Sequence, residues 1–343
     1  MEDDKPKRRI RYSGAYPKTF KEKYKEQQPQ KYAADVEKVI AKGRTPAGMH
    51  LSICVNEIMN ILNIQPGEVG LDATLGYGGH SHEILKRLQK GGRLFATDVD
   101  PLELPKTKER LTGLGFGPEI LCIRKMNFAG IDQIVAEAGL LNFVLADLGL
   151  SSMQIDNPER GFSHTEEGPL DLRFNPNTGK SAAEYLLAVT LQDLKDALLA
   201  NADEIYFEEI AAAIIQQRYR GLTTTTQLIK LITETLTPLG LTQEEIKKSC
   251  TRSFQALRIE VNDEFGVLEQ FLNKLPDALA SGGRVAIMSF HSGEDRRVKK
   301  AFQYFFRQGL FSSISPDPIR ASDEECFNNR RAKSAKLRWA VKR

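Results

Sequence analysis

The sequence predicts an α/β fold: a mostly parallel sheet with helices on both faces and a helical domain inserted in it. Three observations carry this. Apolar strand-like runs alternate with helical periodicity between residues 69 and 148, a rhythm that calls for parallel strands joined by crossover helices. The rhythm stops between 157 and 258, where no buried-strand run is found. It resumes from about 263.

In chain order, residues 1–30 (KPKRRIRYSG, KEKYKEQQPQ) lack apolar periodicity and read as a basic arm, partly disordered, reaching to about residue 45. A short helix, YAADVEKVIAKG, ends at Gly43. Residues 69–74 form the first strand and 80–88 a helix, closed by Lys90-Gly91-Gly92. Strands follow at 93–98, 120–125 and 143–148, with helices after Pro101 and at about 128–138 between them. In the insertion, LQDLKDALL, FEEIAAAIIQQR and TQLIKLITETL space their apolar residues as helices do. A helix near 263–280, a strand at 284–290, a helix from about 293 and a final strand in LRWAV complete the chain. Three parts result: the arm 1–45, an α/β part from 46–156 with 259–343, and the helical insertion 157–258.

The 343 residues can bury a large core in one or two domains. No apolar run approaches the roughly 20 residues of a membrane span, and no secretory signal opens the chain. Cys54, Cys122, Cys250 and Cys326 are far apart and form no CxxC pair. That favours reduced thiols in a cytoplasmic protein over disulfides or a zinc site. No metal site is expected: His80 and His82, two apart at a helix start, cannot share one face. The net charge of +3 is divided. Residues 1–45 carry +6 and residues 328–343 carry +7, which leaves −10 in the middle. Basic ends on an acidic body suit a polyanion partner, or simply solubility.

The stretch LDATLGYGGHS (71–81) holds the first chemical signal. Gly76, Gly78 and Gly79 follow a strand and open a helix, as a turn against a nucleotide-like ligand does. Asp98 ends the second strand, where a carboxylate can accept both ribose hydroxyls. Asp100 precedes Pro101 and reads as a helix starter. The ligand is either a dinucleotide or S-adenosylmethionine. Asp72, just inside the turn, tilts the choice toward the second, which has an ammonium for it to pair with; the alternative for Asp72 is a turn brace. The fourth strand ends in ADLGLSSMQID. Asp147 there could accept hydrogens from an exocyclic amine, although the D/N-P-P-aromatic pattern of amino-methylases is absent.

Six motifs occur in order: DLGLSSMQID, ERGFSHTEEGPLDLRFNP, GKSAAEYL, TRSFQALRIEVNDE, GGRVAIMSFHSGEDRRVK and KSAKLR. Together they resemble the bacterial 16S rRNA (cytosine-N4) methyltransferase family, RsmH or MraW, from about residue 50 to Arg338. The resemblance implies a class I (Rossmann-like) methyltransferase fold with an inserted helical domain, and S-adenosyl-L-methionine as cofactor. It implies methylation of a cytidine N4 in 16S rRNA, at nucleotide 1402 of the decoding centre, within the 30S subunit or its precursor. Oligomeric state is left open, a homodimer included. Carried over residue by residue, the cofactor contacts fall on Gly78, Gly79, His80, Asp98, Phe128, Asp147 and Gln154, with Asp147 also the catalytic candidate. Phe128 could pack on adenine or belong to the core. Gln154 could bond the cofactor or brace its loop. Substrate candidates are Arg160, Phe162, Asp171, Arg173, Arg252, Arg258, His291 and Arg296. The alternative for each is an internal Asp–Arg network joining the two domains. The sequence departs from the family at Gly293, where Leu is usual in FHSLEDR, at Asn329-Arg330-Arg331 and in the long arm. Other readings are methylation of a different RNA cytidine by a diverged paralogue, a non-catalytic RNA-binding assembly factor, or an NAD-dependent oxidoreductase.

Overall fold

The computed structural model describes residues 52–343, apart from residues 90 and 164. The basic arm and the short helix expected before residue 45 lie outside the described residues. The strands are β1 (Val69–Asp72), β2 (Arg93–Asp98), β3 (Leu121–Lys125), β4 (Leu141–Asp147), β5 (Leu279–Ser289), β6 (Phe311–Ile314) and β7 (Lys336–Lys342). They form one sheet in the order β3-β2-β1-β4-β5-β7-β6. The first five run parallel. The last two pair antiparallel at the edge beyond β5. The mostly parallel α/β fold is therefore the one expected, and β6 is an addition: its four residues are too few for a readable alternation.

Helices cover both faces. On one lie α1 (Val55–Leu62), α2 (Gly79–Leu88) and α3 (Leu104–Gly113). Ile58, Leu62, Ile84, Leu85, Leu88 and Leu111 bury against Leu94, Ala96, Phe143 and Met288 there. On the other lie α4 (Ile131–Ala138), α11 (Glu264–Ala278) and α12 (Ser292–Arg307). Their Ile131, Ile134, Phe271, Leu275 and Phe302 meet Phe95, Val144 and Val285. Because both faces are covered, the central strands read as continuous apolar runs instead of alternating ones. Each such side chain fully buried contributes about 1.5–3 kcal/mol. Gly70 in β1 cannot carry a side chain, since the Phe143 ring occupies the place of its Cβ.

Between the neighbouring strands β4 and β5 the chain makes a long helical excursion. It comprises α5 (Ser152–Asp156), α6 (Ala182–Ala188), α7 (Leu191–Ala202), α8 (Phe207–Gln217), α9 (Thr225–Leu236), α10 (Gln243–Asn262) and finally α11. Leu186, Leu194, Leu198, Ile210, Ile214, Leu228, Ile232 and Leu257 form a core of their own here, separate from the two on the sheet. Capping boxes at Ser151–Gln154, Ser181–Glu184, Thr224–Gln227 and Thr242–Glu245 start four of these helices. The 20-residue α10 does not show in the apolar pattern, because buried Ser249 and Ser253 interrupt its stripe. No helix among the described residues is long and apolar enough to cross a membrane.

Candidate active site

The order of strands reverses between β1 and β4, and a crevice forms at the carboxyl ends of strands around such a point. Asp72, Asp98 and Asp147 end β1, β2 and β4 at this edge. After β1 the chain turns tightly. The Leu75 N–H donates to the Thr97 carbonyl at 2.9 Å and the Gly78 N–H to the Leu75 carbonyl at 2.6 Å. Gly76 (φ 49°) and Gly78 (φ 74°) take left-handed conformations. A Cβ on Gly78 would also come within 2.9 Å of Thr107 Cγ2 on α3. Glycine is thus required there on two counts.

Asp72 is a brace for this turn. Its Oδ1 accepts from the Thr74 N–H at 3.1 Å and its Oδ2 from the Ser81 hydroxyl at 2.6 Å. Burial raises its pKa, against the opposing pull of Ser81, His80 and Thr74. Asp98 ties the two loops together: Oδ2 accepts from the Gly76 N–H at 2.7 Å and Oδ1 from the Asp100 N–H at 2.9 Å. Burial pushes its pKa to about 6 despite those bonds, and Asp100 and Asp72 add to the rise. A carboxylate offers about four acceptor sites. Two are used, so this half-buried side chain keeps acceptor capacity toward the crevice.

Asp147 differs. Its backbone N–H donates to Thr74 Oγ1 at 2.6 Å, yet its carboxylate accepts no hydrogen bond among the described residues. The side chain is 29% exposed. His80 is turned inward. Its Nε2 lies 3.0 Å from the Ile53 carbonyl, which can accept a hydrogen bond from that nitrogen. Its Nδ1 then faces Asp147 Oδ2 at 3.5 Å. Burial pushes Asp147 to about 6; His80 opposes the rise, while Asp72 and Glu294 reinforce it. The imidazole of His80 therefore faces Asp147 from behind, and Gly78, Gly79 and His80 offer the crevice the backbone start of α2.

Phe128 follows β3 in a 3-10 turn (Phe128–Gly130), half-buried, with its ring edge-on to Phe271 at 5.2 Å. Gln154 caps α5 through Ser151 and donates from Nε2 to Asp100 Oδ2 at 2.8 Å. It braces the loop. Asp100 proves to be a hub that the Asp-Pro reading only partly captured. Its Oδ1 accepts from the Leu102 N–H at 2.9 Å, as a helix starter does. Its Oδ2 also meets Arg160 Nη1 at 2.6 Å, with both side chains almost fully buried. The missed signal was the second acid of ATDVD, placed at a strand end.

The substrate candidates divide. Arg160 bonds Asp100 and the Phe174 carbonyl (2.8 Å). Arg252 holds the buried Glu204 at 2.9 Å. Arg258 holds Glu264 at 2.7 and 3.0 Å, a pair that raises its pKa against the lowering effect of burial. These three guanidinium groups are used inside the protein, one by an aspartate and two by glutamates. Phe162 is a core residue beside Phe174. Asp171 and Arg173 pair through two bonds of 2.7 and 2.6 Å in the same loop. Arg296 is exposed, 3.8 Å from Asp203. Both ring nitrogens of His291 are buried without a hydrogen bond, although Nε2 lies 3.3 Å from Glu294 Oε1. Glu264, His291 and Glu294 bring ligand atoms within 4.8 Å of one another, but Arg258 already engages both oxygens of Glu264. Three cations of the basic C-terminal run are likewise taken: Arg331 by Asp156, and Lys336 and Arg338 by Asp295.

Residues 47–343 match the model of the MraW methylase family. The chain belongs to the MraW methylase family. It is 62% identical over 344 residues to ribosomal RNA small subunit methyltransferase H 2 of Alkaliphilus metalliredigens, covering 99% of each chain. It is 60% identical over 340 residues to ribosomal RNA small subunit methyltransferase H 1 of Lachnoclostridium phytofermentans, covering 98% of this chain and 93% of that one. The match to ribosomal RNA small subunit methyltransferase H of Acidobacterium capsulatum is 37% over 298 residues, 86% of this chain and 98% of that one. The cofactor of this MraW-family methylase is S-adenosylmethionine, and the residues fit it. Asp98 has acceptor capacity for ribose hydroxyls, and the orphaned carboxylate of Asp147 suits a cationic group. The glycine turn lets backbone approach closely.

Proposed function

We propose that this MraW-family methylase methylates N4 of a cytidine in small-subunit rRNA, at nucleotide 1402 of the decoding centre, and that residues 157–258 recognise the RNA. The observation that carries the reading is Asp147: a carboxylate that accepts no hydrogen bond among the described residues, at a strand end between the glycine turn and the helical excursion. Its relatives' names supply the substrate class.

S-adenosylmethionine, when bound, supplies an electrophilic methyl group. The amino nitrogen of cytosine is a poor nucleophile, because its lone pair is drawn into the ring. Asp147 accepts an N–H of that amine, which localises the lone pair on nitrogen, and it can hold the proton the amine sheds. His80, when protonated, pairs with this carboxylate through Nδ1 from the side away from the amine. Asp98 binds ribose, and the half-buried ring of Phe128 packs on adenine. Carbon-5 methylation needs a thiolate nucleophile. Burial and the Glu325 and Glu57 carboxylates push Cys54 to about 12, and burial raises Cys122 and Cys250 as well. Such thiols are not poised for attack.

The test is methyl transfer from labelled S-adenosylmethionine to unmethylated 30S subunits, with nucleoside mass spectrometry. N4-methylcytidine at the decoding centre is expected. Methyl at another cytidine would overturn the target. Cofactor binding with no transfer would favour an assembly factor.

A further inference from the structure

Beyond α8 the chain makes a 3-10 turn, Arg218–Arg220, ended by Gly221 in the left-handed region (φ 92°). The turn sets Tyr219 on the surface with 74% of it exposed. Behind its ring lies Arg218, whose guanidinium carbon is 4.9 Å from the centroid. Arg218 is itself anchored: Nη1 donates to the Val189 carbonyl at 2.6 Å. Arg220, next in the chain, is also exposed. Neither arginine has a carboxylate partner among the described residues. Val189 lies between Leu187 and Leu191, both exposed. The result is a flat aromatic face, a cation fixed beneath it, a second cation beside it and apolar shoulders.

A single exposed aromatic residue needs no explanation on its own. This one is held by a cation, and two positive charges stand uncompensated next to it. An unpaired base stacks on such a ring, and the adjoining phosphate meets the free arginine. The turn is also tied to the active-site loop. Thr223 accepts the Leu170 N–H at 2.8 Å, and the Thr225 N–H donates to the Gly168 carbonyl at 2.9 Å. That same loop carries Arg160 to Asp100.

We propose that Tyr219, backed by Arg218 and flanked by Arg220, is a stacking site for one unpaired nucleotide of the RNA substrate, distinct from the nucleotide that is methylated. The inference rests on the RNA reading above. The experiment measures the Kd of the full-length protein for a labelled single-stranded oligocytidine and for unmethylated 30S subunits. Tyr219→Ala should weaken oligocytidine binding at least about fivefold, since a stacked base carries that much or more. Tyr219→Trp should restore it. Arg220→Ala should reduce the slope of log affinity against log salt by about one. Cofactor affinity should be unchanged in all three. Unchanged RNA affinity in Tyr219→Ala overturns the proposal and leaves this face to a protein partner. If Tyr219→Ala loses RNA affinity while the wild type methylates no decoding-centre cytidine, the stacking site stands and the target assignment alone fails.

Discussion

Asp98 and Asp147 sit on the same sheet edge and titrate in the same range, near pH 6, for the same reason of burial. Their tasks differ, and so do the expected responses. Ribose hydroxyls donate to the ionised form of Asp98 and favour it. Cofactor affinity should therefore fall as pH drops below about 6. Asp98→Ala should weaken binding by roughly 10- to 100-fold, as expected for lost hydrogen bonds to a charge; calorimetry at pH 7.5 checks it, and unchanged affinity would remove Asp98 from the site. Asp147 can take up the amine's proton only when ionised, so single-turnover transfer should decline about tenfold per unit below pH 6. His80 opposes the rise of the Asp147 pKa. In His80→Gln the midpoint should move to higher pH. A merely structural loss would lower the rate without moving the midpoint. Asp98 was legible in the sequence, because a strand end and its distance from the glycine turn locate it. The inward turn of His80 was not, because a histidine beside two glycines gives no hint of which way it faces.

At the scale of elements, the ion pair of Asp100 and Arg160 joins the end of β2 to the start of the helical excursion. Removing one partner of a buried pair leaves the other unpaired, at a cost of about 3–5 kcal/mol. Arg160→Leu should lower the melting temperature by roughly 10 °C, and Asp100→Asn with Arg160→Leu should recover part of that loss. A phosphate-contact role would instead lower RNA affinity and spare the melting temperature. The alternating part of the fold, β1 to β4 with their helices, was readable because crossover units repeat one apolar rhythm. The last two strands were harder. β7 was expected as a strand, but its antiparallel direction depends on the edge it reaches, which local pattern does not encode. The unusual Gly293 also becomes clear only in three dimensions. A Cβ there would lie 2.6 Å from Phe265 Cζ, and that ring carries Arg297 stacked at 3.5 Å. Leucine at this position would have to displace the stack.

For the whole molecule, Asp72, Asp98, Asp100 and Asp147 gather negative charge at one edge of the sheet. Asp98 and Asp147 have folded pKa values raised above the unfolded value, near 4. Their stabilising contribution is present below that value and is lost as pH rises through about 6. The cofactor-free protein should thus melt lower at pH 7.5 than these two groups would allow at pH 5, and Asp147→Asn should flatten that dependence. The charge at the N-terminal end, +6 over residues 1–45, leads to a different test. Deleting those residues should lower 30S affinity and its salt slope while leaving cofactor affinity intact. An unchanged slope would assign the arm to solubility.

The helical excursion leaves the sheet at β4 and returns at β5, and these strands are hydrogen-bonded neighbours. In topological terms it is a cassette set in one crossover connection: it leaves at the carboxyl end of β4 and re-enters at the amino end of β5, on opposite edges of the sheet because the two strands are parallel. Yet the cassette carries Arg160, and the sheet keeps Asp100. A chimaera cut at the strand ends and given another crossover that spans the sheet would inherit an acid buried without its counter-ion. The exchangeable unit therefore has to be defined by that pair: a transplanted recognition module must bring its own cation to Asp100, or the host must lose the acid.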